Sequence, residues 1–457
     1  MAHGPSRGGV PVTALPEERV DRWTAPLRRF LEIETAAGLV LLGCTAAALF
    51  IANSEWAPAM HHLLETPIGV TFGGERLIFP LEVWINDGLM TVFFFVIGLE
   101  IKREFVLGQL RDPRHAALPL AAALGGMVVP AGIYLFLQFG EAGERGWGIP
   151  MATDIAFVVG VLSLLGRRVP HSLRVLMLTL AIADDIGAVI VIAIGYTDYI
   201  QTLALVLGFA GFGICLLINW AGVRNVWVYV GMGSVIWFLF HESGVHTTVA
   251  GVILGMITPT NAWLPIGRFS QTIQEVDDFI DQEGAWYTDE RRNAVLEHVM
   301  MTARESMPPL ERLENALHPW VSFGIMPLFA LANAGVEIHA GGWLHPISVA
   351  VALGLLLGKP VGIFLTCWVC VRAGIARLPH DLGWPEILGG GFLGGIGFTM
   401  ALFIAGLALE GDMLDSAKIG ILSGSALSAA VGMTVLFVVL RRRAAANDVA
   451  EENRSEE

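Results

Sequence analysis

The chain has 457 residues, of which 54% are hydrophobic and only 15% are charged, and its mean hydropathy is +0.63. Soluble globular proteins carry about 25% charged residues, so this composition excludes an ordinary soluble domain and predicts a protein that lives in the lipid bilayer. Much of the net charge of −14 lies between Glu275 and Glu314 and in the tail Glu451–Glu457, which indicates solvated acidic segments; no segment resembles a nucleic-acid-binding patch.

About twelve apolar stretches are long enough to be transmembrane helices, which need roughly 20 residues each. In chain order these predicted spans cover residues 36–52, 81–101, 116–137, 147–165, 173–195, 202–220, 225–240, 245–258, 319–336, 346–371, 386–409 and 417–440. Of the 28 lysines and arginines, the predicted outside loops hold only Arg76, Arg145 and Lys418, while all the others except the intramembrane Lys359 fall inside. Because positive charge concentrates in cytoplasmic loops, this bias predicts that both termini are cytoplasmic.

The predicted organisation is a cytoplasmic N-terminal segment (1–29), an all-α polytopic membrane domain (30–440) and a charged cytoplasmic tail (441–457). The charged connection 259–318 is predicted to be a cytoplasmic insertion with one or two surface helices. Between the first two spans, two β-type runs flank a Gly-Gly pair in residues 69–79, which predicts a small β-hairpin outside the membrane.

Ionisable side chains at membrane depth mark function by default, because each charge there costs about 2.5–3.5 kcal/mol. Asp154 lies in the fourth predicted span, Asp184 and Asp185 lie in the fifth, and Lys359 lies in the tenth. Asp87 is nearer the end of the second. A salt-bridged cluster that only fixes helix packing is the alternative explanation, although apolar packing would do this without the desolvation cost.

Asp184 and Asp185 are adjacent on a helix and therefore point in different directions, about 100° apart. One carboxylate can face a water-filled cavity as a cation ligand, while the other reaches Lys359, the only partner available within the membrane. Such a site can hold protons or a hard cation but hardly both. That competition is the physical basis of antiport.

Helix breakers interrupt two of the predicted spans. The fourth contains Gly148 and Pro150 just before Thr153 and Asp154, and the eleventh contains the glycine-rich run 389–397. If the third to fifth and the tenth to twelfth spans are compared as two groups, the interrupted spans hold the same middle position. This predicts an inverted-repeat transporter with two broken, crossing helices and a site at the midplane. Packing through glycine is the alternative.

Seven motifs, in order and at matching separations over about residues 30–440, resemble the NhaA family of sodium/proton antiporters. The motifs are residues 95–105 (FVIGLEIKREF), 152–157 (ATDIAF), 183–188 (ADDIGA), 241–251 (HESGVHTTVAG), 317–335 (LHPWVSFGIMPLFALANAG), 358–360 (GKP) and 395–400 (GIGFTM). The sequence departs from the family in a longer insertion around 268–308 and in an extended C-terminal tail.

The resemblance implies a secondary transporter rather than an enzyme, without a cofactor, in the bacterial cytoplasmic (inner) membrane. It would exchange intracellular sodium or lithium for external protons, electrogenically and under pH control, in sodium and pH homeostasis. Asp185 matches the principal sodium ligand and Asp184 the second carboxylate, which pairs with lysine. Thr153 and Asp154 match the crossing of the unwound helices, and Lys359 the compensating charge.

The resemblance also implies roles at the edges of the membrane. Asp87 matches an accessory acidic residue, and the hairpin near 69–79 matches a homodimer contact. A network tied to pH response is implied for Glu100, Arg103, Glu104, His246, Glu314 and His318. For these six residues, ordinary interfacial charge is the competing interpretation.

Three other protein classes share some of these features. A retinal-binding protein also pairs a membrane lysine with aspartates, but it predicts seven helices and an aromatic pocket. An intramembrane aspartyl protease, the enzyme alternative, needs an aspartate in a GxGD setting, which this sequence lacks. A sodium-coupled symporter of an organic solute fits the same residues, since a sodium site alone does not specify the direction of coupling.

Overall fold

The protein is described from a computed structural model that covers residues 34–72, 75–197, 199–223, 225–281, 289–338 and 341–455. The predicted N-terminal segment 1–29 and the hairpin tip at residues 73 and 74 lie outside these ranges. Within them, seven helices are long and apolar enough to cross a membrane, or nine if each of two bent helix pairs counts as one span. The chain is therefore built as a mostly helical, multi-pass membrane protein.

The helices are numbered here in chain order. They are α1 Glu34–Ala52, α2 Ala57–Leu64, α3 Leu81–Val106, α4 Pro113–Gln138, α5 Ile155–Leu164, α6 His171–Gly195, α7 Thr202–Trp220, α8 Val226–Ser243, α9 Thr247–Ile257, α10 Ile266–Asp281, α11 Asp289–Glu305, α12 Pro309–Trp320, α13 Met326–Asn333, α14 Pro346–Arg372, α15 Trp384–Gly394, α16 Phe398–Ala408 and α17 Gly411–Ser455. Short π-helical stretches lie at Trp84–Leu89 in α3, at Val321–Ile325 between α12 and α13, and at Gly354–Gly358 in α14.

Each of the twelve predicted spans lies on a helix. Seven of them are long and apolar enough to cross a membrane alone, and the spans at 36–52 and 386–409 are so only as members of bent helix pairs, which leaves three that do not qualify. α8 ends in the polar residues His241, Glu242 and Ser243, which lower its average hydropathy. α9 has only 11 residues, and the span predicted at 319–336 is divided among α12, a π-helical stretch and α13. The number of about twelve transmembrane helices stays a prediction.

The helix that carries Lys359 packs very closely on α4. Gly362 of α14 faces the backbone of Gly125 on α4, and a Cβ atom at Gly362 would collide with the Gly125 carbonyl. Small residues at such a contact allow two helix backbones to approach in a membrane protein. This contact fixes the half of α14 that begins at Lys359.

Two helical interruptions meet in the interior. The 3₁₀ segment Glu144–Met151 is separated from α5 by residues 152–154, and α15 is separated from α16 by residues 395–397 with a bend of 47°. The N–H of Asp154 donates to the carbonyl of Ile396 at 2.7 Å, so the two interruptions are joined backbone to backbone. This hydrogen bond replaces one of the helical hydrogen bonds that the two segments lose where their helices are interrupted.

The predicted β-hairpin is confirmed as a two-stranded antiparallel sheet. Strand β1 (Pro67–Phe72) pairs with β2 (Glu75–Pro80) in a register that sets Ile68 opposite Phe79. The indole N–H of Trp84 donates to the carbonyl of Ile68 at 2.9 Å and ties the sheet to the beginning of α3.

The insertion between α9 and α13 contains more helix than the sequence predicted. Three helices (α10, α11 and α12) occupy the region for which one or two were expected. The N–H of Leu264 donates to the carbonyl of Glu305 at 3.1 Å, so the end of α11 returns to the start of α10. The apolar spacing in residues 293–318 predicts helix there, and that segment contains most of α11 and of α12, so the additional helix is α10.

Candidate functional site

Five predicted residues come together in the interior, and all of them are at least 97% buried. α6 supplies Asp184 and Asp185 from its middle, α14 supplies Lys359, and the interruption before α5 supplies Thr153 and Asp154. Charged side chains are almost never buried this deeply without partners. Their contacts therefore define the chemistry of the site.

Asp184, Lys359 and Thr153 form one hydrogen-bonded group. The ammonium of Lys359 donates to Oδ2 of Asp184 and, at 2.8 Å, to the hydroxyl of Thr153. That hydroxyl lies 2.7 Å from Oδ2 of Asp184 and 2.8 Å from the carbonyl of Gly394. Since a hydroxyl has one hydrogen, Thr153 donates to only one of these oxygens at a time.

The two carboxylates of α6 have acceptor atoms that the described residues leave unused. Oδ1 of Asp184 is buried and has no hydrogen-bond partner. No hydrogen bond or ion pair to a described residue involves Asp185, although Asp184, Asp154, Glu100 and Lys359 all act on it electrostatically. Free oxygens in a net negative environment are the ligands that a hard cation needs.

Asp154 has a different environment, because it bridges two helix beginnings. Its Oδ1 accepts from the N–H groups of Ala156 (3.1 Å) and Phe157 (3.4 Å), and so caps α5. Its Oδ2 accepts from the N–H of Thr399 at 3.2 Å and from the Thr399 hydroxyl, at the start of α16. The carboxylate thus offsets the partial positive charge of two helix N-termini. Thr399 was not singled out from the sequence, although it lies in one of the seven motifs.

Five of the six residues assigned to pH response gather where α3 meets α12. Arg103 forms an ion pair with Glu314, whose side chain is 8% exposed. Glu100 and Glu104 lie on the same helix as Arg103, and His318 lies on the same helix as Glu314. Burial raises the pKa of Glu314, and the neighbouring Arg103 guanidinium and His318 oppose this rise.

His246, the sixth of these residues, lies in a separate cluster. The carboxylate of Asp87 is 3.7 Å from Nε2 of His246 and 3.6 Å from Nδ1 of His241. His241 also stacks on Trp237 and contacts Phe79 of the hairpin edge to face. Sequence analysis did not select His241, although its position five residues before His246, across a turn at Gly244, was a usable signal.

A multi-pass helical protein that buries a lysine and several carboxylates beside interrupted helices belongs to the class of membrane ion transporters. A family model described as Na+/H+ antiporter 1 matches residues 28–436, and the chain belongs to this family.

Relatives named as Na(+)/H(+) antiporters match nearly the whole chain. The Na(+)/H(+) antiporter NhaA of Rhodopirellula baltica is 51% identical over 427 residues, which are 93% of this chain and 97% of the relative. NhaA 2 of Acidiphilium cryptum is 47% identical over 96% of both chains. NhaA of Rhizobium meliloti is 47% identical over 94% of this chain and 98% of the relative. The resemblance noted in the sequence is therefore confirmed at the level of the family.

Proposed function

We propose that this protein exchanges intracellular Na⁺ or Li⁺ for external protons across the bacterial cytoplasmic membrane. The observation that carries the proposal is the pair of adjacent buried carboxylates with unused oxygens, Asp184 and Asp185, beside the buried lysine Lys359. Membership of the Na+/H+ antiporter family favours exchange over sodium-coupled symport.

The cation would bind to Asp185, with Oδ1 of Asp184 as a second ligand. A unit charge about 4 Å from a carboxylate gains about 4 kcal/mol at an effective dielectric constant of 20. The cost of dehydrating the ion offsets part of this attraction, which keeps binding weak enough for release in each cycle. Lys359 repels the ion less than an isolated ammonium would, because its charge is matched by Oδ2 of Asp184.

Protons and Na⁺ would compete because they use the same oxygen lone pairs. When the cation leaves, protonation of the carboxylates removes the charges that burial makes costly. One cation against two protonatable aspartates would give unequal charge movement, so we propose that exchange is electrogenic. Each net charge is then driven by about 2.3 kcal/mol per 100 mV of membrane potential.

The function is testable in everted membrane vesicles with an acidified lumen. We expect added Na⁺ or Li⁺ to dissipate the proton gradient, followed by the recovery of a pH-sensitive dye, because the ions enter as protons leave. K⁺ is the matched control cation and should have little effect. A gradient that Na⁺ leaves unchanged at every pH tested would rule out the proposed exchange.

The interrupted helices support an inverted-repeat arrangement with about twelve spans and both termini in the cytoplasm. Interruptions at residues 152–154 and 395–397 place helix ends beside Asp154 and Lys359. In such transporters the ion site lies at the crossing of broken helices, near the bilayer midplane. The charge bias of the loops supports the orientation, with the β-hairpin outside.

The β-hairpin is proposed as a contact in a homodimer. A two-stranded sheet has backbone edges that can pair with a second copy, and Ile68 and Ile78 are 46% and 41% exposed. Replacing residues 69–79 by a short glycine linker should therefore convert a dimer into a monomer, as measured by light scattering of the purified protein. A dimer that survives the deletion would place the contact elsewhere.

Glu314 is proposed to contribute to pH response. Because burial raises its pKa, it stays protonated to a higher pH than an exposed glutamate, and its ionisation then strengthens the ion pair with Arg103. Glu314→Gln fixes the uncharged state at every pH. We expect the ionised form of Glu314 to support exchange, so the pH profile of this variant should move in the alkaline direction. Glu297→Gln, at an exposed position of α11, is the control and should leave the profile in place.

A further inference from the structure

The starts of α6 and α15 and the side of α17 meet at one short stretch of the loop between α14 and α15. Asp381 accepts through Oδ2 from the N–H of Ser172, at the start of α6, with a distance of 3.3 Å. The guanidinium of Arg443, on α17, donates to the backbone carbonyl of Asp381 and, at 3.3 Å, to Oε1 of Glu386. Oε2 of Glu386 accepts from the N–H of Gly383 at 3.1 Å and so caps α15.

The contact with Ser172 supplies a cap that α6 lacks locally. Pro170 precedes the helix and offers no capping side chain, so the carboxylate of Asp381 satisfies a free N–H from another part of the chain. The hydrogen bond from Ser172 lowers the pKa of Asp381, so the carboxylate stays charged to a lower pH than an ordinary aspartate. A charged acceptor at a helix N-terminus is favoured by the helix dipole.

Glu386 is an unusual residue for this position. It is 4% exposed, and it is the only acidic residue in the eleventh predicted span, 386–409. Arg443 is its ion-pair partner. Removing the partner of a buried carboxylate strongly destabilises the folded protein. Arg443 therefore links α17 to the starts of α6 and α15, whereas Arg441 and Arg442 are exposed.

The same two helices meet again at the ion site. Asp184 lies 12 residues beyond Ser172, and Gly394 lies 10 residues beyond Trp384, so both are about 15–18 Å along their helices from the Arg443 contact. At that level Thr153 lies between Oδ2 of Asp184 and the carbonyl of Gly394. α6 and α15 are thus joined at two levels, through Asp381 and Arg443 where both helices begin and through Thr153 at the ion site.

We propose that Arg443 is a positioning residue for the ion site, which sets the separation of α6 and α15 and so the geometry around Asp184 and Thr153. This inference rests on the proposed exchange function. Arg443 touches neither ion nor carboxylate of the site. Its effect is on how well the ligand oxygens are prearranged, and therefore on the apparent affinity for Na⁺.

The test is Na⁺-dependent exchange in everted vesicles and thermal unfolding of the purified protein, with Arg443→Gln compared with Arg441→Gln and Arg442→Gln. The three variants lose the same charge on the same helix. We expect Arg443→Gln to raise the apparent KM for Na⁺ about three- to tenfold, with the maximal rate within about twofold of the wild type. The two controls should keep the wild-type KM.

Arg443→Lys retains the charge but cannot reach both acceptors with one planar group, so an intermediate KM is expected. Asp381→Asn, which weakens only the contact with Ser172, should give a smaller rise than Arg443→Gln. Equal effects of all three arginine variants would indicate a general attraction to anionic lipid and would overturn the proposal. So would a wild-type KM in Arg443→Gln or, if that variant does not accumulate, in Arg443→Lys. A wild-type protein without Na⁺-dependent exchange would instead refute the function itself.

Discussion

Replacing Asp185 by asparagine should abolish the Na⁺-driven loss of the proton gradient in everted vesicles. Asp185 is 3% exposed and makes no hydrogen bond or ion pair with a described residue, so its charge is not consumed by the protein itself. An amide removes the attraction of about 4 kcal/mol for a cation nearby, which corresponds to roughly a thousandfold weaker binding. It also removes the group that takes up the proton.

The same variant provides a direct test of competition. Calorimetry of the purified wild type should show that Na⁺ binding releases protons, detected as a heat that depends on the ionisation enthalpy of the buffer. Asp185→Asn should show neither binding nor release. Asp112→Asn, which alters a 53%-exposed carboxylate at the start of α4, is the control for expression and general charge. Proton release that persists in Asp185→Asn would assign the exchange to other groups.

Much of the ion site could be predicted because the membrane leaves few choices. Lys359 is the only lysine or arginine deep in an apolar span, so a buried aspartate had no other cationic partner. The helical angle between Asp184 and Asp185 predicts that only one of them takes that partner, and the structure joins Lys359 to Asp184. Sequence periodicity could not show that Thr153 would lie between this pair and Gly394, because that contact depends on how two distant interruptions pack.

Contacts at the membrane edges were less predictable for a physical reason. Interfacial charges have water as an alternative partner, so their sequence positions do not determine which of them pair. His246 joins Asp87 and His241 instead of the cluster around Glu314, and neither the burial of Glu386 nor its contact with Arg443 was anticipated. α2 was also missed, because eight residues that begin at a proline-containing turn carry too little periodicity.

The helix ends explain why the site needs both signs of charge. Asp154 accepts hydrogen bonds at the starts of α5 and α16, where the helix dipoles are positive. Lys359 and Thr153 lie at the carbonyl end of α15, where the dipole is negative, and Thr153 reaches the carbonyl of Gly394. Each charged residue therefore offsets a helix end that water would otherwise solvate, and Asp185 is left to interact with the ion.

Lys359→Met should strongly destabilise the protein, and a second substitution should largely reverse this effect. Methionine keeps an unbranched side chain in the space of Lys359, which is fully buried, so the main change is the loss of charge. Asp184 would become an uncompensated buried carboxylate, and removing one partner of such a pair costs about 3–5 kcal/mol. The melting temperature of the purified protein should fall accordingly, and the pH dependence of exchange should change.

The double variant Asp184→Asn/Lys359→Met removes both charges together and should recover most of the lost stability, because no unpaired charge is left in the interior. Asparagine at position 184 can still accept a hydrogen bond from the Thr153 hydroxyl, which now lies 2.7 Å from Oδ2 of Asp184. If the double variant melts as low as Lys359→Met alone, the ion pair does not account for the stability of this region. Recovery would instead show that the charge of Asp184 stabilises Lys359 in the membrane interior. The ammonium of Lys359 in turn partly neutralises Asp184, so that this carboxylate does not bind the transported cation too tightly.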